Sequence, residues 1–232
     1  MEQLQLPRLD PRLEALAQLV RPGARCADVG CDHGHLIAWL CASGRVPGGY
    51  ACDINSKPLE KAAFALSQYG LTGRVKTVLC DGLAGIGPGQ VEDVVIAGMG
   101  GDLIWQIIDA CPWSRDPALR FVLQPMTKGH RLRQALYAGG FTLLQERAAV
   151  AGGFAYTAMQ AAYTGQRREI SPLFAWGGLL LEDPSPAAQA YLARAAHLVG
   201  ERLAGLRQAG RPEAQLAGLI ALHEQLKGRC TQ

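Results

Sequence analysis

The sequence predicts an α/β fold: a parallel, doubly wound sheet closed by an antiparallel hairpin and followed by a two-helix tail. Three observations carry this. Short apolar runs bounded by Gly, Asp or Pro alternate with helical periodicity between residues 24 and 139, the pattern of successive βα units. The last two runs are separated only by Ala151-Gly152-Gly153, which leaves no room for a crossover helix and suits an antiparallel turn. Beyond Pro184 and Pro186 the apolar period is helical throughout.

In chain order, Leu9, Leu13, Leu16 and Leu19/Val20 predict an amphipathic helix over 9–20, ended by Arg21-Pro22-Gly23. Strands are expected over 24–29, 49–54, 76–79, 91–97, 120–123, 141–145 and 155–162. Helices are expected over 34–43, 57–70, 101–111 and 129–139, with a helical stub over 83–86. Five parallel strands and a terminal hairpin give a seven-stranded sheet. In the tail, Leu192, Ala195, Val199, Leu203 and Leu206 form one stripe, Gly210-Arg211-Pro212-Glu213 interrupts it, and Leu216, Leu219/Ile220, His223 and Leu226 resume it. This predicts an antiparallel, coiled-coil-like helical hairpin.

The chain of 232 residues is 49% apolar and 19% charged, a globular composition that excludes a repeat array or a disordered chain. The net charge of +3 is unevenly spread: residues 1–184 hold 17 basic and 17 acidic side chains, and residues 185–232 hold six and three. The basic surplus therefore lies in the tail, which permits a polyanionic partner. Seven cysteines without a CxxC pair, at 26, 31, 41, 52, 80, 111 and 230, read as reduced, buried thiols of a cytoplasmic protein with no zinc or other metal site. The N-terminal segment has no secretory pattern, and Asp93, Asp102 and Asp109 break the longest apolar stretches, so no membrane span is expected.

The chemistry gathers at the carboxyl ends of the strands. The first strand runs into Asp28-Val29-Gly30-Cys31-Asp32-His33-Gly34, a turn in which glycine lets a ligand approach the backbone. A dinucleotide fingerprint would place glycine where Asp32 stands, and a carboxylate facing a pyrophosphate is unfavourable. A dehydrogenase is disfavoured on that ground, and a cationic or zwitterionic ligand suits the turn. Asp53, followed by Ile54, closes the second strand 19 residues after Gly34, where a carboxylate can accept from both ribose hydroxyls. Asp81-Gly82 closes the third, where a carboxylate can take an adenine amine, and Ala97-Gly98-Met99-Gly100-Gly101 closes the fourth. Acids and glycine turns at consecutive strand ends line one crevice of an open α/β sheet. Asp28, Asp32, Asp53 and Asp81 without a phosphate-binding loop fit S-adenosyl-L-methionine, which carries a sulfonium, an ammonium, a ribose diol and an adenine but no phosphate.

Together, the leading helix, Asp28-Val29-Gly30-x-Asp32-His33, Asp81-Gly82, Ala97-Gly98-Met99-Gly100-Gly101, Leu123-Gln124-Pro125, Leu132-Arg133 and Gly140-Phe141 resemble the bacterial tRNA adenine-N1 methyltransferases that modify adenine 22, the TrmK family. The sequence departs from that pattern at Gly34-His35-Leu36, at Met126 and at Phe154-Ala155-Tyr156-Thr157. The resemblance implies a Rossmann-like class I methyltransferase sheet with a C-terminal helical hairpin. It implies a domain over 1–165, a linker over 166–184 and a tRNA-contacting hairpin over 185–232. Asp28, Gly30, Asp32, His33, Asp53, Ile54, Asp81, Gly82, Ala97, Gly98, Met99 and Gly100 would hold S-adenosyl-L-methionine, and Asp32 is the catalytic candidate. Arg8, Arg12, Lys128, Arg131, Arg133, Arg202, Arg207 and Arg211 would meet tRNA phosphates. A monomer is expected. The alternatives are a small-molecule methyltransferase of the same fold and a non-catalytic RNA-binding module.

Overall fold

A computed structural model describes residues 7–229. Its seven strands are β1 (Cys26–Val29), β2 (Gly49–Asp53), β3 (Val75–Leu79), β4 (Asp93–Gly100), β5 (Arg120–Thr127), β6 (Phe141–Ala151) and β7 (Phe154–Tyr163). They form one sheet in the order β3-β2-β1-β4-β5-β7-β6. The first five are parallel, and β7 enters antiparallel beside β5 with β6 at the edge. The connecting helices are α1 (Pro11–Leu19), α2 (His35–Ala42), α3 (Ser56–Gln68), α4 (Gly101–Ala110) and α5 (Gly129–Ala138).

Alternate strand residues feed two cores. Cys26, Ala51, Val95 and Val122 face α1, α2 and α3, where they meet Leu16, Ile37, Ala62 and Leu66. Ala27, Val94, Ile96, Phe121 and Leu123 face α4 and α5, where they meet Ile104, Ile108, Leu132 and Leu136. This period-two alternation puts helices on both faces, as parallel sheets require. The chain enters the fold through α1, whose Asp10 accepts from the Leu13 amide at 2.8 Å ahead of Pro11 at the first helical position. Its far end is held by Arg21, whose Nε donates to the buried Asp93 at 2.7 Å.

β4 and β5 extend to Gly100 and Thr127 rather than ending at 97 and 123, and three further boundaries differ from the sequence reading. Residues 83–86 form a turn rather than a helical stub, because Leu83 and Ile86 both turn inward within a single reverse turn closed by Ile86 N–H on Leu83 O. The first hairpin strand runs to Ala151 instead of ending at 145, since cross-strand pairing with β7 continues to the turn. The segment expected as a linker carries α6 (Pro172–Gly177) and a 3-10 turn (Gly178–Glu182). Ser171 caps α6 and Ser185 caps α7 (Pro186–Gln208), each ahead of a proline. The chain then reverses into α8 (Glu213–Arg229).

The tail hairpin has its own small core of Leu192, Val199, Leu222 and Leu226, completed by Leu173, Trp176 and Leu181 from α6 and the turn after it. Leu222, absent from the predicted stripe, is buried there, while His223 is only half-buried. The joint to the sheet is a buried ion pair between Arg133 of α5 and Glu146 of β6. Arg133 also donates to Ala175 O at 2.8 Å and to Tyr191 Oη at 3.2 Å, and Glu146 accepts from Thr157 at 2.6 Å and from the Leu179 amide at 2.7 Å. Arg133 is fully buried, which corrects its assignment to RNA contact: its guanidinium is consumed in fastening α6 and α7 to the sheet. Among the described cysteines all are free thiols; Cys80 is half-buried rather than buried, and Cys230 lies outside the described residues.

Candidate functional site

The crevice opens above the carboxyl ends of β1, β2 and β4. After Val29 the chain makes a tight turn in which the amides of Gly30 and Cys31 both donate to Cys52 O, at 2.8 and 3.0 Å. Gly30 has φ +69°, and a Cβ there would strike the Met99 methyl. Glycine takes that backbone without strain, and the Met99 methyl from β4 closes over the turn. Asp32 follows with φ +49°, one of two non-glycine residues with left-handed backbone among the described residues. Aspartate tolerates that region better than most side chains.

Asp28 is 4% exposed. Burial pushes its carboxyl up to about 7, against the pull of the Ile37 amide that donates to it, with Asp53 adding a smaller upward push. Asp28 thereby satisfies an amide in the first turn of α2, whose cap residue Gly34 has no side chain to do so. The Asp32 side chain is 75% exposed at the rim, 3.5 Å from His33 Nε2, and the same ring nitrogen meets Lys61 Nζ at 3.2 Å. Asp53 is half-buried and accepts from the Asn55 amide at 2.9 Å, while Ile54 is 62% exposed beside it. Asp81 is exposed and Gly82 half-buried on the far flank, beyond β2.

The fourth strand end is irregular. The β4–β5 register shifts on both sides of Met99, so that Gly98 and then Met126 stand unpaired. Such bulges re-aim backbone beside functional sites. Gly98 takes φ +78°, and its amide donates at 3.2 Å to Gln124 Oε1. That oxygen also accepts from Arg12 Nη1 at 3.1 Å, and the Gln124 amide group donates to Pro125 O at 3.1 Å. The fully buried Gln124 thus fixes the bulge and Arg12 together. Its role was not legible in the sequence, where Gln124-Pro125 served only as part of a family pattern.

The predicted cofactor residues therefore fall in two groups. Asp28, Gly30, Asp32 and His33 share the β1 turn with Ala97, Gly98, Met99 and Gly100 beside it, because β1 and β4 are neighbours. Asp53 and Ile54, then Asp81 and Gly82, continue the line along β2 and β3. Of the predicted RNA contacts, Arg8 and Arg211 are exposed. Lys128 and Arg131 both reach Asp102, at 2.8 and 3.1 Å. Arg207 is paired with Glu213 at 2.7 Å across the tail turn, and Arg202 borders a hollow with His130 and Arg131.

Residues 9–159 match the family described as Methyltransferase domain. A curated relative, the tRNA (adenine(22)-N(1))-methyltransferase of Bacillus subtilis, is 31% identical over 139 residues. That match spans 60% of this chain and 58% of the relative. Among solved structures, the B. subtilis M1A22 tRNA methyltransferase TrmK superposes with a TM-score of 0.82 at 24% identity, covering 97% of this chain and 99% of that one. A Streptococcus pneumoniae protein solved with S-adenosyl-L-methionine superposes with a TM-score of 0.82 at 26% identity, covering 96% and 100%. M. capricolum TrmK with S-adenosyl-homocysteine superposes at 0.73 and 20% identity, covering 95% and 96%.

Proposed function

Because this chain belongs to the methyltransferase domain family, we propose that it transfers a methyl group from S-adenosyl-L-methionine to N1 of an adenine in tRNA, adenine 22. The observation that carries the reading is the buried, backbone-anchored carboxylate of Asp28 beneath a glycine turn that Met99 closes. A low-dielectric acid with its carboxyl raised to about 7 gains most from a cation placed against it. The ligand proposed brings two cationic groups and no phosphate. The bacterial relatives and the tRNA substrate they are named for support the choice of acceptor and a cytoplasmic, bacterial setting. No helix among the described residues is long and apolar enough to cross a membrane.

The bound S-adenosyl-L-methionine supplies an electrophilic methyl on sulfur, open to in-line displacement by the adenine N1 lone pair. This chain's residues do the positioning, which is most of the catalysis in such a transfer. Asp28 and the Gly30 turn hold the amino-acid end, Asp53 is placed to accept from the ribose, and Ile54 and Asp81 flank the adenine. Gly98, Met99 and Gly100 border the acceptor side. Neutral adenine has its N1 lone pair free, so no general base precedes attack. The product is cationic, and Asp32 at the rim is the carboxylate placed to stabilise it. At 75% exposure that stabilisation develops only once the RNA has displaced water. N1 lies on the Watson–Crick edge, so the base must be unpaired or extruded to be reached.

The test is to incubate the protein with S-adenosyl-L-methionine and unmodified tRNA transcripts, digest to nucleosides and analyse by mass spectrometry. A gain of 1-methyladenosine that is absent with Asp28→Ala is the expected result. No methylated nucleoside, in protein that binds the cofactor, would leave a small-molecule methyltransferase.

A further inference from the structure

Between the β5–α5 loop and the tail lies a cleft of about 370 Å³ that shares no residue with the crevice described above. It is lined by Pro125 and Met126 of β5 and Lys128 just after it, by Tyr156 of β7, by Trp176 of α6 and by Leu198 of α7. Pro125 in its lining pairs with Met99 across β4–β5 and follows the Gln124 that holds the Gly98 bulge, so the cleft lies beside that bulge. Trp176 is stacked on His130 with ring centroids 4.1 Å apart and planes 3° from parallel. A second hollow continues beyond that stack and is bordered by Arg131 and Arg202. Arg194 lies 5.6 Å from the Tyr156 ring and donates to Ala155 O at 2.9 Å. No carboxylate lines either hollow, and Asp102 stands behind the rim, where it pairs with Lys128 and Arg131.

We propose that this cleft receives a second unpaired nucleobase of the RNA strand, adjacent to the acceptor adenine, with the flanking phosphates against Lys128 and Arg194 and then Arg131 and Arg202. The inference rests on the RNA reading above. Aromatic faces and a thioether suit an unpaired base, and the cations at the rim suit its backbone, with Lys128 and Arg131 exchanging their pairing to Asp102 for phosphate. The volume fits a ligand-sized group. The cleft exists only where α6 and α7 close against the sheet, which gives the tail a specific role: half of a base-binding site rather than a diffuse basic surface.

The test uses the full chain with S-adenosyl-homocysteine filling the cofactor crevice and tRNA transcripts as the probe. Tyr156→Ala weakens tRNA affinity on the order of tenfold, Tyr156→Phe restores it, and cofactor affinity is the same in all three proteins. Leu198→Glu, a change at a 41% exposed position that leaves the core intact, weakens it as well. Transcripts carrying 2-aminopurine at single unpaired positions show one position whose fluorescence is quenched by wild type and Tyr156→Phe but not by Tyr156→Ala. Affinity and quenching unchanged by Tyr156→Ala and Leu198→Glu would overturn the inference while 1-methyladenosine formation still upheld the function. Loss of 1-methyladenosine formation in wild type with pocket-dependent tRNA binding intact would do the reverse.

Discussion

The buried Asp28 makes cofactor affinity depend on pH in a calculable way. Its carboxyl sits at about 7 instead of 3.8, so in the free protein about a tenth is ionised at pH 6 and about nine tenths at pH 8. If only the carboxylate accepts the cationic ligand, affinity rises about tenfold over that interval, and binding at pH 7 releases about half a proton. Calorimetry with S-adenosyl-L-methionine at pH 6, 7 and 8, in two buffers of different ionisation enthalpy, measures both quantities. The ligand's own α-amino group also titrates, near 7.7–8.0, but it does so equally with Asp28→Asn. The ratio of wild-type to variant affinity therefore isolates Asp28. The same shift acts on stability with a definite sign. A carboxyl raised in the folded state leaves the native protein holding the extra proton between about pH 4 and 7, so stability falls as pH rises through that window. The cost reaches about 4 kcal/mol above pH 7, at 1.36 kcal/mol per unit. Asp28→Asn, which keeps an acceptor for the Ile37 amide, gains stability over wild type at pH 8 relative to pH 5. A wild-type to variant affinity ratio that stays flat from pH 6 to 8 would refute the assignment of Asp28 to the cation.

Four further outcomes follow from named contacts. Arg133→Met leaves the buried Glu146 carboxylate without its partner, and denaturant unfolding should show a loss of about 3–5 kcal/mol, with the tail more open to proteolysis. Gly30→Ala places a Cβ at φ +69° against Met99; calorimetry should find cofactor binding lost, and Met99→Ala in the same chain should not fully restore it because the backbone strain remains. His130 is held at about 4 by burial, then by Arg202, Arg133 and Arg131, so its contribution is present above about pH 6.5 and lost as pH falls toward 4; His130→Phe, which keeps a ring against Trp176, should flatten that part of the pH–stability curve. Arg131→Glu with Arg202→Glu should weaken tRNA binding and reduce the salt slope of log affinity by about one to two, Arg131 being shared with Asp102, whereas Arg207→Glu, already committed to Glu213, should act mainly by placing like charges across the tail turn.

Much of the sheet was legible because strand burial writes itself as short apolar runs, and the parallel order followed from the helices between them. The extended ends were not. β4 continues through Gly98 to Gly100 because Gln124, on the neighbouring strand, takes up the Gly98 amide, a contact 26 residues away in sequence. Likewise the 172–182 segment reads as loop by composition, and it is ordered as α6 and a 3-10 turn because Arg133 and Glu146 bind its carbonyls and amides. Arg133 itself looked like one more phosphate-seeking arginine. Nothing local distinguishes an arginine at the surface from one whose donors are met by a carboxylate, a phenol and two carbonyls brought from three separate elements.

The sequence by itself determined the architecture and the kind of ligand the crevice could take. Period-two and helical spacing fixed which residues turn inward, and Asp32 in place of a glycine argued against a pyrophosphate. Tertiary structure alone decided how those residues act: it buried Asp28 against α2 and raised its carboxyl, closed Met99 over Gly30, consumed Arg133 and Glu146 in the joint, and built an aromatic, acid-free cleft from β5, β7, α6 and α7. The division has a physical cause. Patterning depends on the side chain and its neighbours along the chain, whereas ionisation, desolvation and cavity shape depend on groups that only folding brings together.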